Sequence, residues 1–158
     1  MIVSLSKFAA VRAALSDGFS VSESLEASSV SEGSWRESLA HYNGTLLSDD
    51  EELAAFEVAF EDAQDNLARD VDPLSDDLSS WVGFGLKAED VGFQAVCEEY
   101  GLTAGDIGRL SRQWRKRLDD DEALADEARA MREEQPAPSA PPSVTIGERK
   151  PACADGHD

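Results

Sequence analysis

The sequence predicts an all-α fold: a bundle of about seven or eight short helices followed by a disordered tail. Apolar residues recur every three or four positions over most of residues 1–135, which is the periodicity of amphipathic helices. Strand-like residues are confined to 143–146. Five of the six prolines lie in 136–158, mixed with Ala and Ser, and this composition is typical of a disordered tail. We therefore expect an acidic helical domain over 1–135 and a disordered tail over 136–158.

Three helices are predicted in the first part of the chain. The first has its apolar stripe at Phe8, Val11 and Leu15. Gly18 can end it, since glycine favours the left-handed conformation at helix ends. A short second helix fits in 20–28. Ser31 is a suitable N-cap for the third. Its stripe continues past Asn43-Gly44 and consists of Trp35, Leu39, Tyr42 and Leu46.

The acidic run 48–52 predicts the start of a fourth helix, because carboxylates are favourable near the positive end of the helix dipole. Its stripe is Leu53, Phe56, Phe60, Ala63 and Leu67. Asp72 followed by Pro73 predicts the start of a fifth helix, with proline at its first position. Its inward face would be Leu74, Leu78, Trp81 and Val82. Gly83 and Gly85 are expected to loosen its end.

Three further helices follow. Residues 90–100 predict a helix that Gly101 ends, with Phe93, Val96, Cys97 and Tyr100 inward. Thr103 caps the next helix, whose stripe is Ile107, Leu110, Trp114 and Leu118. The acidic run 119–122 opens the last helix, whose apolar face is Leu124, Ala128 and Met131. We expect the aromatic and aliphatic stripes to form the core.

Two segments, about 30–67 and 102–134, resemble each other and predict two related helical hairpins. With an offset of 72, Gly33 aligns with Gly105 and Tyr42 with Trp114. After a gap of one residue, the acidic run that starts at Asp49 aligns with that from Asp120. Neither hairpin can bury its apolar face alone, so packing of the hairpins on each other or on the intervening helices is expected.

The chain carries 33 acidic and 14 basic side chains, a net charge of -19. Such a charge repels nucleic-acid phosphates and anionic lipid, and favours either a basic protein partner or solubility alone. A salt-adapted host would also raise the acidic content. No apolar run is long enough to span a bilayer, and the start of the chain lacks the pattern of a signal peptide. With two cysteines that make a poor disulfide framework, we expect a cytoplasmic protein that does not bind membranes.

The leading hypothesis is a non-enzymatic interaction module, such as an adaptor, an accessory protein or an immunity-like protein, that binds a basic protein partner. The predicted contacts are acidic residues at the start of the fourth helix and on its solvent side. They are Asp49, Asp50, Glu51, Glu52, Glu57, Glu61, Asp62 and Asp65. The alternative interpretation of the same residues is an ordinary solvated helix face. The sequence does not predict the oligomeric state.

A second hypothesis is a helix-turn-helix DNA-binding regulator over 93–118. The spacing of Cys97, Gly101, Ile107 and Leu110 resembles that motif, whose second helix enters the major groove. The second helix would present Arg109, Arg112, Arg115, Lys116 and Arg117. The flanking acidic blocks oppose this hypothesis, and a basic helix face that pairs with the protein's own 119–122 run or with a neighbouring acidic helix explains the same cluster. We therefore do not expect a nucleic-acid partner.

Catalytic and metal-binding patterns are not evident in the sequence. His41 has no nucleophile at a motif spacing, His157 lies in the tail, and Cys97 is expected to be buried and structural. The acidic residues around 70–77 do not fit a calcium loop, because Leu74 and Ser75 occupy positions that need an oxygen ligand and a glycine. We expect no catalytic residues, no metal and no cofactor.

The tail contains a short apolar segment followed by a basic one, typical of docking motifs that become ordered on a partner. The motif residues are Val144, Thr145, Ile146, Gly147, Arg149 and Lys150. The segment 144–150 is similar to the terminal cargo-loading peptides of encapsulin nanocompartments, which share an apolar-Thr/Ser-apolar-Gly core. The resemblance covers seven residues and implies a cargo or docking protein addressed by its tail. The helical body lacks the E-x-x-H ligands of ferritin-like cargoes.

Overall fold

The computed structural model describes residues 1–152 and confirms the all-α prediction for them. The elements are α1 (Leu5–Ser16), α2 (Val21–Ala27), α3 (Glu32–Ser48), α4 (Asp50–Asn66), β1 (Val71–Asp72), α5 (Leu78–Val91), α6 (Phe93–Tyr100), α7 (Ala104–Asp120), α8 (Glu122–Glu133) and β2 (Thr145–Ile146). The chain divides into two compact units. The first contains Met1–Ala68 with 149–152, and the second contains Arg69–Glu148.

In the first unit, α1 to α4 surround an aromatic core. Its buried members are Phe8, Val11, Leu25, Val30, Trp35 and Tyr42. The Phe8 ring lies 5.2 Å from the Trp35 ring and 4.6 Å from the Tyr42 ring, between centroids. The Tyr42 hydroxyl donates a 2.7 Å hydrogen bond to the carbonyl oxygen of Val3, so α3 is fastened to the segment that precedes α1. Both predicted stripes, on α1 and on α3, thus contribute to one core.

In the second unit, α5 to α8 and the two-stranded ribbon of β1 and β2 enclose two apolar clusters. The larger has Val71, Leu74, Phe84, Val96, Tyr100, Leu102, Ile107 and Leu110 as its buried members. The smaller combines Leu78, Val82 and Trp114 with partly buried side chains of α8. The Trp114 indole N–H donates a 2.7 Å hydrogen bond to the carbonyl oxygen of Leu74, so α7 is fastened to the turn that precedes α5.

The predicted limits of the fifth helix are wrong at both ends. Asp77, rather than Asp72, caps α5, because its carboxylate accepts a hydrogen bond from the Ser80 amide. Pro73 lies in a preceding turn, and α5 runs through both glycines to Val91. Helical periodicity predicted Leu74 and Leu78 on one face of the fifth helix. Leu74 is buried, but it lies in the turn that precedes α5.

The sixth helix is shorter than predicted, and one of its inward residues is not inward. Gly92, with φ at +97°, separates α5 from α6, so α6 begins at Phe93. The Phe93 side chain is 51% exposed, whereas Val96 and Tyr100 are buried. Gly101, with φ at +71°, ends α6 as predicted.

The hairpins α3–α4 and α7–α8 share their local construction. α3 and α7 both have 17 residues, with Ser31 and Thr103 as N-caps. A single residue, Asp49 or Asp121, joins each pair of helices and caps the second one. These aspartates are 72 positions apart, so the structure needs no gap in the alignment, contrary to the sequence alignment. That the hairpins arose by duplication stays a prediction.

Residues 136–152 are described, in contrast to the disorder expected from 136 onward. Thr145 and Ile146 form β2, which pairs with β1 in antiparallel orientation. Val144 and Ile146 pack against the larger cluster of the second unit. Proline-rich composition predicted disorder because it does not report contacts with residues distant in sequence. Residues 153–158, including Cys153 and His157, lie outside the described residues.

Candidate partner-binding surface

α4 begins where the acidic run predicted. The Asp49 carboxylate accepts hydrogen bonds of 3.0 and 3.1 Å from the amides of Glu51 and Glu52, which satisfies two of the unpaired N–H groups at the helix start. Asp49 is therefore a capping residue as well as a surface charge. Asp50 and the two glutamates follow in the first turn, where the helix dipole favours them.

One face of α4 packs against α1, and this fixes the direction of the other face. The Phe56 ring lies 5.8 Å from the Phe8 ring and 5.7 Å from the Phe60 ring. Gln64 is buried and donates from its side-chain amide to the Ser16 hydroxyl at 3.1 Å. Of the predicted stripe, Leu53 deviates, since it is 36% exposed at the open end of the helix.

The opposite face of α4 is acidic, as predicted. Across 17 residues the helix has seven carboxylates and no Lys or Arg. Six of them are exposed: Asp50, Glu51, Glu57, Glu61, Asp62 and Asp65. We call these six, together with the capping Asp49 and the half-buried Glu52, the α4 acidic surface. It contains all eight predicted contact residues.

Glu52 differs from the other members because it borders the core. Burial raises the pKa of Tyr42 above its ordinary value, and the negative charge of Glu52 adds to the increase. In residues 1–152, no ion pair involves Asp50, Glu51, Glu57, Glu61 or Asp62. Glu57 and Glu61 are four residues apart on the helix, a like-charge spacing that costs about 0.2–0.5 kcal/mol.

Two exposed apolar side chains, which were not predicted from the sequence, lie on α4 or shortly before it. Val58 is 61% exposed on the outward face of α4, and Leu47, two residues before the Asp49 cap, is 90% exposed. Val58 lies outside the Phe56–Phe60 stripe, and this position in the sequence could have indicated that its side chain is exposed. An acidic surface with exposed aliphatic side chains suits a partner that has both basic and apolar groups.

The basic residues of α7 mostly serve the second unit itself. Arg69 binds the buried Asp106 carboxylate through two hydrogen bonds of 2.9 and 2.7 Å, and Arg109 adds a third of 2.9 Å. Arg117 donates to the Ser75 carbonyl oxygen at 2.8 Å, and its guanidinium lies 4.7 Å from the centroid of the Trp114 ring.

Burial alone would raise the pKa of Asp106, but the hydrogen bonds and charge of Arg69, with Arg109 nearby, hold it below its ordinary value. Arg112 is half-buried, and only Arg115 and Lys116 of the predicted nucleic-acid-binding residues are exposed. Within the cluster, Arg109 thus pairs with Asp106 on α7 itself. α6 and α7 are joined by a turn at Gly101, and the helix-turn-helix motif over 93–118 stays a prediction.

The tail motif is divided between internal contacts and exposed residues. Its apolar residues, Val144 and Ile146, are half-buried against the second unit, while Thr145 is exposed and Gly147 lies beside Asp70. In the first unit, the Arg149 guanidinium lies 3.4 Å from the centroid of the Phe19 ring. Lys150 is exposed. The apolar part of the motif is therefore occupied within the chain.

No cluster of three His, Cys, Asp or Glu side chains within 1–152 has the geometry to hold a metal ion. His41 is exposed on α3, with its ring 4.9 Å from the Tyr42 ring. Burial raises the pKa of the Cys97 thiol, with a further contribution from the Asp106 charge, so the thiolate form is disfavoured.

None of the helices in residues 1–152 combines the length and hydrophobicity needed to cross a bilayer. Comparisons with protein-family models, with curated proteins and with solved structures gave no match. Support for a function therefore comes from the chemistry of the α4 acidic surface.

Proposed function

We propose that this protein is a non-enzymatic interaction module that acts in the cytoplasm and binds a basic protein partner through the α4 acidic surface. The observation that carries the proposal is the set of exposed carboxylates on a helix whose other face is fixed in the core. Adaptor, accessory and immunity-like roles are all compatible with it.

The arrangement favours binding because its charges are held in place before the partner arrives. The packing of Phe56 and Phe60 orients α4, so little ordering of the backbone is needed on association. A dense field of one sign accelerates encounter with an oppositely charged protein and makes the rate strongly dependent on salt. Val58 and Leu47 supply apolar area that remains effective when salt screens the charges.

The test compares two variants that remove the same number of charges. In the first, Glu57→Gln, Glu61→Gln and Asp62→Asn neutralise the α4 acidic surface. In the matched control, Glu127→Gln, Glu133→Gln and Glu134→Gln neutralise three exposed acids at α8 and its C-terminal end. Each chain is immobilised and exposed to nuclease-treated extract of the source organism at low and high salt.

We expect the wild type and the α8 control to retain the same basic protein at low salt, and the α4 variant to lose it. If the α4 and α8 variants lose the partner equally, net charge rather than this surface determines binding. If neither variant loses it, the α4 acidic surface is an ordinary solvated helix face, as a salt-adapted protein would also have.

DNA binding through α7 is the alternative function, favoured by the α6–turn–α7 geometry. Two exposed basic residues neutralise few phosphates, so any binding should be weak and modestly salt-dependent. Arg115→Ala with Lys116→Ala should abolish retention on double-stranded DNA at low salt if this function exists. Wild-type protein that is not retained under those conditions excludes it.

A further inference from the structure

Residues 139–147, here called the tail strap, pack against the second unit, and the surface that they cover is here called the groove. Ile146 pairs with Val71 and Thr145 with Asp72 in the two-stranded ribbon. The Gly147 amide donates a 2.7 Å hydrogen bond to the carbonyl oxygen of Asp70. An extended segment that adds a strand to an exposed edge is one of the recurring ways in which proteins bind peptides.

Over 144–146, side chains of the tail strap alternate between the groove and solvent. Val144 and Ile146 face the apolar cluster, whereas Thr145 between them is exposed. Further along, the Tyr100 hydroxyl donates to the carbonyl oxygen of the buried Pro141 at 2.5 Å. Main-chain hydrogen bonds combined with pockets for alternate side chains are features of a peptide-binding groove.

At Gly83, the second unit comes into close contact with the backbone of the tail strap. A Cβ atom at Gly83 would lie nearer than 3.0 Å to backbone atoms of Ser139 and Ala140. All the buried members of the neighbouring cluster come from 71–110, so the tail strap adds to a core that other residues form.

One end of the groove carries negative charge, and the tail strap places no basic side chain across the ribbon from it. Asp70, Asp72 and Asp76 are exposed and close together at β1. Partial loss of hydration raises the pKa of Asp72 above its ordinary value, and the charges of Asp76 and Asp70 raise it further. The tail strap places an uncharged side chain, Thr145, opposite Asp72. A cation at that position would be favourable, because opposite charges directly across a ribbon attract.

We propose that this groove is a docking site for an extended segment of a partner protein, with the tail strap as a tethered competitor. The segment would have proline at the Pro141 position, apolar residues at the positions of Val144 and Ile146, and Lys or Arg at that of Thr145. The extra ion pair to Asp72 distinguishes such a segment from the tail strap. The site is independent of the α4 acidic surface.

The test uses fluorescein-labelled peptides that correspond to 137–148, one unchanged and one with Thr145→Lys. They are titrated against the full chain and against the full chain with Ile146→Ser, which loosens the tail strap. We expect both peptides to bind the Ile146→Ser chain more tightly than the wild type, because a tethered competitor acts at an effective concentration of about millimolar. The Thr145→Lys peptide should bind about two to five times more tightly than the unchanged one.

Two further chains, each with a second substitution in addition to Ile146→Ser, test whether the peptides bind in the groove. Adding Asp72→Asn should make the Thr145→Lys peptide bind no more tightly than the unchanged one. Adding Gly83→Ala should abolish binding of both peptides. Helix content by circular dichroism is the folding control. If Ile146→Ser prevents folding, added Thr145→Lys peptide should increase protease cleavage of the tail strap in the wild-type chain. The absence of saturable binding and of increased cleavage overturns the proposal. If the wild-type chain forms a dimer and Gly83→Ala abolishes that dimer, the occupant of the groove is a second copy of this chain, and the proposal is also overturned.

Discussion

Asp106→Asn should destabilise the second unit far more than an ordinary surface substitution. The side chain of Asp106 is fully buried, and those of Arg69 and Arg109 are 13% and 8% exposed. Asparagine keeps the size of the side chain but removes the charge that both guanidinium groups share. The remaining amide binds them far less strongly, whereas the cost of burying two positive charges is unchanged.

The expected size of the effect follows from the geometry. Removing one partner of a buried ion pair costs about 3–5 kcal/mol, and here one carboxylate accepts three charged hydrogen bonds of 2.7–2.9 Å. For a unit of this size, a loss of that order lowers the melting temperature by about 12 °C or more. Because the total stability of a domain is about 5–15 kcal/mol, the variant should remain folded only marginally.

Urea unfolding followed by circular dichroism measures this loss, with Asp126→Asn as the matched control. Asp126 also pairs with an arginine three residues away, but both side chains are more than 60% exposed, so its loss should cost about 0–1 kcal/mol. A cost below about 1 kcal/mol for Asp106→Asn, or one equal to that of the control, would refute the reasoning that the buried cluster holds the second unit together.

The remaining predictions concern pH, the groove and the α4 acidic surface. The pKa of Asp106 is lower in the folded state, so its stabilisation is complete above the unfolded value of about 3.9 and is lost as pH falls through the folded value. As the pH is lowered below about 4, the urea midpoint of the wild type should therefore decrease, and that of Asp106→Asn should decrease much less. Equal decreases in the two chains would contradict this. Gly83→Ala should displace the backbone at Ser139, and limited proteolysis should cleave 134–147 faster; unchanged cleavage would show that the groove does not require glycine. Glu61→Gln removes like-charge pairs with Glu57 and Asp65, and should raise stability by about 0.4–1 kcal/mol at low salt, with no gain at high salt. Thermal unfolding at both salt concentrations checks this, and a loss of stability would contradict it.

Features set by neighbouring residues were predictable from the sequence. The caps Ser31 and Thr103 and the stripes that follow them depend on spacings within a few residues, and the structure has them as expected. The acids of α4 face solvent because the stripe of Phe56 and Phe60 defines the opposite face. In these cases, local physical chemistry and tertiary packing agree.

Features set by distant contacts were not predictable in the same way. The start of α5 was misplaced because the Asp72-Pro73 signal for a helix start is also the signal for a turn. The pairing of Arg69 with Asp106 joins residues 37 positions apart and was not predictable, whereas Arg109, three residues from Asp106 on the same helix, could have indicated an internal pair. Order in the tail depends on apolar contacts of Val144 and Ile146 with residues far away in sequence.

The most direct test of the central claim is the salt dependence of affinity between the captured basic partner and three chains. These are the wild type, the chain with Glu57→Gln, Glu61→Gln and Asp62→Asn, and the matched α8 control. If the α4 acidic surface binds the partner, fluorescence anisotropy will show a steep loss of affinity with salt for the wild type and the α8 control, and a weaker, flatter dependence for the α4 variant. Identical affinities and salt slopes for all three chains would contradict the account.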